Sequence, residues 1–544
     1  MSLAQKILEE VAGKVDAYES RMSSYMASIG EWDDLFRVRR PKRKKNTFSN
    51  PRLTEFHRAG ITLGTLTYRM QTAKDPFFSV TPMDLPQDPF DPLHPYFAYE
   101  AGQTVQHAIG AQLRAAKYKQ QLLKASLFCA PFGTVVCQED YRVVGVNSKG
   151  RRVPVTDFIP RMMDQVAFDQ GTTDIANADW IATMDVVSNG SLSRMLAEID
   201  EIGAPWNKRA LEDAIKLEEK ANTINSFVLN RLRRSSFGAE DAFAGKKELT
   251  LYYGKLDTLN DGLEYVYAMI NRKIGVRFHA NNFQHGKRNF RIAKWIDWAG
   301  QLGLGIGDTL GAYHKSMDAN RQKIQDKITF GIYNMHKVRK NAVSADEMTI
   351  RPLKFFEMDD PSDMVPLEQE QSAPIAGMKL EDMFRAEFRA TSGATDTLQA
   401  TVTEATASEV SLASNEAMRR ISVAAEMMAE PLVREHLEVT HANNGEYVHE
   451  PFNVNRAGIA QTVYPSDLRL DVDFELLLTT DKDFKPQRLE KALQGLQIIT
   501  STKSIMPGGN ERAIMALQNE ILYMLDVPVS KWGGGQGAMM PQGP

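Results

Sequence analysis

The chain has 544 residues, 43% hydrophobic and 25% charged; this composition excludes a fibrous or wholly disordered protein, and the length allows two to four structural units. Its net charge of −4 argues against a protein that wraps DNA tightly, because such binding depends on many lysine and arginine contacts to phosphate. Two cysteines, Cys129 and Cys137, are too few for a secreted disulfide framework, and no apolar run of about 18 residues predicts a membrane span.

The N-terminal region is predicted to consist of two helices joined by a basic segment. Apolar residues at helical spacing predict helices over residues 3–29 and 52–73. The basic segment between them contains seven cations: Arg37, Arg39, Arg40, Lys42, Arg43, Lys44 and Lys45. Such a segment can contact phosphate or an acidic partner protein, and a solvated or partner-facing arm without DNA contact is the alternative interpretation.

The region between residues 82 and 280 is predicted to be α+β. A proline-rich break covers residues 82–95, residues 96–127 are helical, and a strand over 133–144 begins a hairpin. Charged helical residues follow at 190–236. Further strands are predicted at 166–168, 180–187, 249–256, 264–270 and 275–278. Short Asn-containing turns separate the last three strands, so these strands are predicted to form a meander.

Long helices dominate from about residue 300. A glycine cluster at 303–307 opens a helix over 306–330, and a compact insert at 335–376 separates it from a short helix at 378–389. A polar loop at 391–403 precedes the longest helix, which begins at a capping box of Thr406 and Glu409 and should kink at Pro431. The chain is completed by a strand near 468–478, two helices within 486–526 and a tail that is expected to be disordered.

The sequence contains no motif for enzymatic chemistry. No glycine-rich loop is followed by Lys and then Ser or Thr, and the glycine cluster at 303–307 is better explained by flexibility at the start of a helix than by nucleotide binding. The ten histidines lack the His-Glu-x-x-His spacing of a zinc site, and no Gly-x-Ser-x-Gly nucleophile motif occurs. We therefore expect no enzyme activity, no cofactor, and no catalytic or metal-binding residues.

Four stretches of the chain, in their order, resemble one known family. They are Val166–Asp169 with Asp174–Ile175 and Ala178–Ile181; Tyr265–Gly307 with the helix that bears Asp318, Asn320 and Gln322; Thr406–Val410; and Arg488–Val527. These stretches resemble, in turn, the wing, the lead-in to the first stem helix, the start of the long helix and the crown of portal proteins. Portal proteins are the head-to-tail connectors of tailed bacteriophages, and the resemblance is to those of short-tailed phages in particular.

The resemblance implies a portal fold of the α+β class, with an α/β wing, a two-helix stem, a small α/β clip, a long kinked helix and a helical C-terminal crown. The implied domains are an N-terminal helix and basic arm (1–49), the wing (50–300), the first stem helix (301–334), the clip (335–376), the second stem helix (377–390), the channel loop (391–405), the long wing helix and its return (406–465), the crown (466–530) and a disordered tail (531–544).

The resemblance also implies a non-enzymatic ring of about twelve copies at one vertex of the capsid. The ring would conduct the genome during packaging and ejection and would dock other proteins. Its implied partners are further copies of the chain, double-stranded DNA that passes through, the terminase large subunit, tail adaptor proteins, and the major capsid and scaffold proteins, with no membrane partner. The implied location is the virion, after assembly in the cytoplasm of the bacterial host. Twelve copies at −4 each would carry roughly −48, so a largely acidic lumen would repel DNA.

The first candidate site is the channel loop, which lies within an interval free of Lys and Arg between Arg389 and Arg419. Its candidate residues are short and neutral: Thr391, Ser392, Gly393, Thr395, Thr397, Gln399, Thr401 and Thr403. Neutral hydroxyl and amide groups exchange hydrogen bonds with phosphate at little cost, whereas each added cation strengthens a salt-sensitive grip. An ordinary flexible surface loop is the alternative interpretation.

Two further sites are predicted on the stem and the clip. The channel wall, or the contact between subunits, would use Lys315, Arg321, Arg385 and Arg389. Partner docking at the clip would use Lys337, Arg339, Lys340, Glu357, Asp359, Asp360 and Asp363. Because the clip's cations precede its acids, neighbouring copies can also pair there head to tail.

Two other classes of protein remain open at this point. Another phage structural protein, such as a tail adaptor or a minor capsid component, would share the lack of enzymatic motifs. A nucleic-acid enzyme or ATPase is disfavoured by the missing phosphate loop.

Overall fold

A computed structural model of the chain describes residues 2–39, 49, 51–74, 76–83, 94–146, 152–202, 205–217, 246–281, 287–298, 300–332, 336–338, 364–366, 372–392, 419–456 and 459–478. Over these residues the chain mixes helices with antiparallel sheets, so the predicted α+β class is confirmed. The chain divides into two compact units. Unit 1 comprises Met1–Leu66, Gln120–Asp140 and Phe158–Ala417, and unit 2 comprises Thr67–Lys119, Tyr141–Asp157 and Met418–Pro544.

The described helices are α1 (Leu3–Phe36), α2 (Glu55–Thr72), α3 (His94–Ala115), α4 (Tyr118–Phe132), α5 (Asn189–Ile202), α6 (Lys208–Lys216), α7 (Ile306–Ile332), α8 (Ser372–Ser392) and α9 (Glu435–Tyr447). Residues 419–429 are also helical and continue through a π-helical turn, Glu430–Arg434, into α9. None of the described helices is both long and apolar enough to cross a membrane.

The described strands are β1 (Phe78–Pro82), β2 (Thr134–Val146), β3 (Arg152–Arg161), β4 (Val166–Phe168), β5 (Trp180–Val187), β6 (Lys247–Lys255), β7 (Glu264–Ile270), β8 (Ile274–Ala280), β9 (Phe290–Lys294), β10 (His336–Val338), β11 (Met364–Pro366), β12 (Phe452–Arg456), β13 (Ile459–Val463) and β14 (Val472–Leu476).

The main element of unit 1 is a five-stranded antiparallel sheet in the order β4-β5-β6-β7-β8. Consecutive strands are neighbours throughout, so the predicted meander is confirmed and extends to two more strands. Residues along β7 alternate between the two faces. Tyr267 and Met269 pack into a core with α1, whereas Ala268 and Ile270 pack into a second core with α5 and α6. The sheet is therefore covered by helices on both faces.

Helix α1 covers its face of this sheet because its apolar residues recur every three or four positions. Ile7, Val11, Val15 and Tyr18 are all buried. The Ser2 side chain accepts a hydrogen bond from the backbone N–H of Gln5 at 3.3 Å and so caps the helix. The helix extends seven residues beyond the predicted end at residue 29, because Trp32 and Leu35 continue the buried stripe past Gly30.

Unit 2 contains two antiparallel strand pairs and the helical segment that ends in α9. The pair β1–β14 runs from Phe78 opposite Leu476 to Pro82 opposite Val472, and β12 pairs with β13. A small core joins α3 to the second pair through Ala108, Val448, Phe452, Val454, Val463 and Leu468. The predicted strand near 468–478 is thus confirmed as β14, while its partner β1 was not predicted.

Pro431 interrupts the long helix without ending it. Proline has no backbone N–H and its ring crowds the preceding turn, so a regular α-helix cannot pass through it unchanged. The π-helical turn at Glu430–Arg434 accommodates Pro431, and α9 continues to Tyr447. The hydroxyl of Tyr118 donates to the carbonyl of Leu432 in this turn at 2.6 Å, and the Tyr118 ring stacks on His436. The predicted capping box at Thr406 lies outside the described residues.

Two further helix predictions needed correction. The helical region 96–127 is two helices, because Lys117 takes a left-handed conformation with φ +55° between α3 and α4. The short helix predicted at 378–389 is α8, which extends over 372–392. Pro374 falls in its first turn, where the missing N–H has no helical partner to lose. The two predicted crown helices within 486–526 lie outside the described residues.

Candidate functional site

The two helices predicted to form the stem pack against each other in an antiparallel pair. The hydroxyl of Tyr313 on α7 donates to Glu387 on α8 at 3.1 Å, and further along Asn320 Nδ2 donates to the carbonyl of Gly377 at 2.9 Å. A Cβ atom on Gly377 would lie 2.8 Å from Ile324 Cγ1, so a glycine allows the helices to approach closely there. Residues later in α7 contact residues earlier in α8, so the two helices form a helical hairpin.

The segment that links these helices contains a pair of short antiparallel strands. In this pair β10 lies beside β11, with His336 opposite Pro366 and Val338 opposite Met364. Lys337 of the predicted clip site is the central residue of β10. The other predicted clip residues, Arg339, Lys340, Glu357, Asp359, Asp360 and Asp363, lie outside the described residues.

A buried carboxylate, Glu381, is the centre of the charges on this hairpin. Its side chain is 2% exposed, and it forms ion pairs with Arg321 of α7 and with Arg385 of its own helix, the latter at 2.8 Å. Arg385 Nε also lies 3.1 Å from the carboxylate of Glu55 at the start of α2. One network of two arginines and two glutamates therefore connects α2, α7 and α8.

A second ionic contact ties α7 to the residues just before α2. The Asp318 carboxylate accepts hydrogen bonds from Arg52 Nη1 at 2.7 Å and from the backbone N–H of Leu53 at 2.9 Å. His314, one turn earlier on α7, is fully buried between the rings of Phe56 and Phe388, with Nε2 3.9 Å from Asp318. Burial lowers the pKa of His314 and outweighs the opposing effect of Asp318 and Glu55.

The glycines at the start of α7 pack against backbone. A Cβ on Gly303 would lie 2.6 Å from the carbonyl of Gly133, and one on Gly305 would lie 2.4 Å from the N–H of Gly133, which itself has φ +80°. The first-turn Asp308 accepts the N–H of Gly305 at 2.9 Å, and burial raises the pKa of this carboxyl. A carboxylate thus caps this helix N-terminus, where a bound phosphate would lie. The glycines at this helix start therefore serve close backbone packing, where flexibility was predicted.

The predicted channel-wall cations all lie on this hairpin. Arg321 and Arg385 join the Glu381 network, Lys315 forms an ion pair with Glu31 of α1, and Arg389 is half-buried near the end of α8. The contacts of Arg321, Arg385 and Lys315 are made within one chain, so these side chains also have a structural role. Their predicted role between subunits remains a prediction.

Most of the predicted channel loop lies outside the described residues. Thr391 and Ser392 belong to the last turn of α8, where Thr391 is exposed and Ser392 donates to the carbonyl of Arg389 at 3.2 Å. The loop therefore begins at least two residues later than predicted. The remaining loop residues, Gly393, Thr395, Thr397, Gln399, Thr401 and Thr403, are not among those described.

The sequence analysis did not single out the buried members of this site. Glu381, His314, Arg52 and Glu55 were not among the predicted site residues. The spacing of four between Glu381 and Arg385 was the available signal, but the same spacing is common on solvated helix faces. The pairing with Arg321 and Glu55 joins residues far apart in the sequence, so only the folded chain shows it.

Among the described residues, no group of three or more His, Cys, Asp or Glu side chains is arranged to hold a metal ion. Cys129 and Cys137 are both free and fully buried, and burial raises the pKa of each thiol. No protein-family model matches this chain, and no curated protein matches it.

Proposed function

We propose that the chain is the portal subunit of a short-tailed bacteriophage, and that about twelve copies close into a ring at one capsid vertex. The ring conducts double-stranded DNA during packaging and ejection. Its other partners are the terminase large subunit, tail adaptor proteins, and the major capsid and scaffold proteins. It acts in the virion and carries out no chemical reaction.

The observation that carries the proposal is the hairpin of α7 and α8 with its small insert. Two helices run antiparallel, and the segment that links them contains the paired strands β10 and β11. This order of helix, small β insert and helix is the one expected for a portal stem that ends in a compact clip. In the sequence, an interval without Lys or Arg follows directly, between Arg389 and Arg419, and a long helix comes next.

The charges of the hairpin fit a conduit that must not hold DNA. Double-stranded DNA binds proteins mainly through cations that replace its counterions. Arg321, Arg385 and Lys315 are each paired with a glutamate of the same chain. The charge of these three side chains is therefore partly balanced within the chain, which weakens any contact that they make to phosphate.

Apolar side chains on the outside of the hairpin support assembly into a ring. On α8, Met383 is 67% and Ile375 is 58% exposed, and Ile328 on α7 is 40% exposed. Exposed apolar clusters of this kind are typical of surfaces that another protein covers. Neighbouring copies in a ring would cover them.

Electron microscopy of the purified full chain, with an ATPase assay on the same sample, tests the proposal. We expect rings of about a dozen subunits with a central hole and no ATP hydrolysis. A chain that stays monomeric, or that forms assemblies without a hole, would contradict the portal and favour a tail adaptor or minor capsid component. ATP hydrolysis would favour a motor enzyme.

A further inference from the structure

An exposed tryptophan lies on the loop that follows β9. The side chain of Trp298 is 70% exposed, and the nearby Ile296 is 43% exposed. Tryptophan buries a large apolar area with little loss of rotational freedom, so it often supplies most of the binding energy at the centre of a protein interface. Asp297, directly before it, is 51% exposed and adds a negative charge.

Hydrogen bonds restrain the chain on both sides of Trp298. Lys294 Nζ lies 3.0 Å from the carboxylate of Asp297 and 3.2 Å from the carbonyl of Gly300, so it contacts the chain on both sides of Trp298. The backbone N–H of Leu304 donates to Ile296 at 2.9 Å and closes the base of the loop. A side chain whose flanking residues are held by such contacts loses less entropy on binding than one without them.

The same unit contains a cleft of about 480 Å³ between the first turns of α1 and strand β8. Its apolar lining includes Leu3, which is 54% exposed, and Phe278, which is 47% exposed. Its cationic lining consists of Lys273 and Arg277. The cleft is thus open, partly apolar and positively charged, and its volume exceeds that of an indole ring.

The tryptophan and the cleft lie toward opposite edges of the five-stranded sheet. The Trp298 loop is tied to the residues after edge strand β4, because Gln301 Nε2 donates to the carbonyl of Gln170 at 2.8 Å and Lys294 pairs with Asp174 at 3.2 Å. The cleft is lined by the other edge strand, β8. Four strand spacings separate the two edges, roughly 19 Å at about 4.8 Å each.

We propose that Trp298 of one copy inserts into the α1–β8 cleft of the next copy in the ring. A ring needs two different complementary surfaces on each subunit, and surfaces at opposite sheet edges meet this requirement. The two surfaces have opposite net charge. Asp297 and Asp174 share one cation, Lys294, so this group next to the tryptophan carries −1. The described lining of the cleft contains Lys273 and Arg277 and no acidic residue. The inference rests on the proposed ring and names one of its subunit contacts.

Cysteine crosslinking tests this contact directly. The double variant Ile296→Cys with Leu3→Cys keeps Trp298 and places one thiol on each surface at an exposed position. The native Cys129 and Cys137 are fully buried and should not react. In assembled rings, a short bifunctional thiol reagent should produce a ladder of covalent oligomers up to the full ring. Each single variant should give dimers at most, because only one surface of each contact then carries a thiol.

Ring stability gives a second readout. Trp298→Ala should raise the protein concentration at which rings dissociate by about tenfold or more, as measured by mass photometry. Tyr464→Ala is the matched control, since Tyr464 is a 55% exposed aromatic residue in unit 2. Oligomeric rings of this variant should dissociate at the same protein concentration as wild-type rings.

The outcomes separate this inference from the proposed function. If the wild type forms rings, the absence of a ladder in assembled rings of the double variant would overturn the Trp298 contact and leave the portal proposal standing. Rings of Trp298→Ala that are as stable as wild-type rings would do the same. A wild-type chain that forms no ring would overturn both.

Discussion

Glu381 shows how one residue can set the geometry of a helix pair. Its carboxylate is almost fully buried and is paired with Arg321 and Arg385, which keep about 30% of their side chains exposed. Removal of a buried partner costs more than the pair itself contributes, because the remaining charges stay partly desolvated without a counterion. The two arginines can still reach water, which limits this cost.

We expect Glu381→Ala to lower the free energy of unfolding by about 2–4 kcal/mol. Chemical denaturation of the full chain, monitored by circular dichroism, measures the change. The matched control is Glu387→Ala on the same helix, where the carboxylate is exposed and contacts the hydroxyl of Tyr313. The control should cost less than about 0.5 kcal/mol. Equal losses in the two variants would show that Glu381 has no special structural role.

At the scale of the element, α1 is held on the sheet by charged contacts as well as by its apolar stripe. The Glu10 carboxylate accepts the backbone N–H groups of Asp257 at 2.8 Å and Thr258 at 2.9 Å, just after β6. Farther along α1, Glu19 pairs with Arg272 at 2.6 Å in the turn between β7 and β8. Each charged group binds a turn of the sheet, so these contacts fix where the helix lies along it.

The contact of Glu10 predicts a dependence of stability on pH. Burial alone would raise the pKa of Glu10, but its hydrogen bonds to Lys14, Thr258 and Asp257 outweigh burial and lower the pKa from 4.5 to about 2. A carboxylate with a depressed folded-state pKa stabilises the fold above its unfolded-state pKa. This stabilisation is lost as the pH falls from about 4.5 to about 2.

Thermal unfolding of wild type and Glu10→Gln at a series of pH values from 7 down to about 2 measures the effect. At pH 7 the variant should be less stable by about 1–2 kcal/mol, after allowance for solvent screening of a partly exposed pair. The unfolding midpoint temperatures of the two proteins should become equal as the pH approaches 2. Curves that stay parallel down to that pH would contradict a stabilising role for the charge of Glu10.

At the scale of the whole molecule, the proposed conduit requires that the ring binds DNA only weakly. The chain has a net charge of −4, and no Lys or Arg occurs between Arg389 and Arg419. Any cation that the ring presents to its lumen is repeated in every copy. A single substitution is therefore amplified by the number of subunits.

Thr395→Lys with Thr397→Lys should convert weak DNA binding into a salt-sensitive grip. Each phosphate contact that is added steepens the dependence of log affinity on log salt by about 0.9. Binding of duplex DNA to assembled rings, measured at several salt concentrations, should become tighter at low salt and steeper in slope. Thr395→Asn with Thr397→Asn is the neutral control. An unchanged slope in the lysine variant would show that these residues do not face the DNA path.

The sequence predicted the local elements well, because helices and strands carry their own periodicity. β5 and β7 begin and end at the predicted residues, and α7 begins at the predicted residue 306. The errors fell where local signals were weak or ambiguous. β1 and β9 are only five residues long, and Lys117 separates two helices without any Gly or Pro to mark the break.

By itself, the sequence determined the α+β class, the order of the elements, the absence of enzymatic motifs and the cation-free interval after Arg389. Only the tertiary structure decided which distant residues meet. It paired β1 with β14, brought Glu55 and Arg321 to Arg385 and Glu381, and placed Trp298 and the α1–β8 cleft at opposite sheet edges. The physical reason is that periodicity depends on neighbours three or four residues away, whereas these contacts depend on how the chain folds back over tens to hundreds of residues.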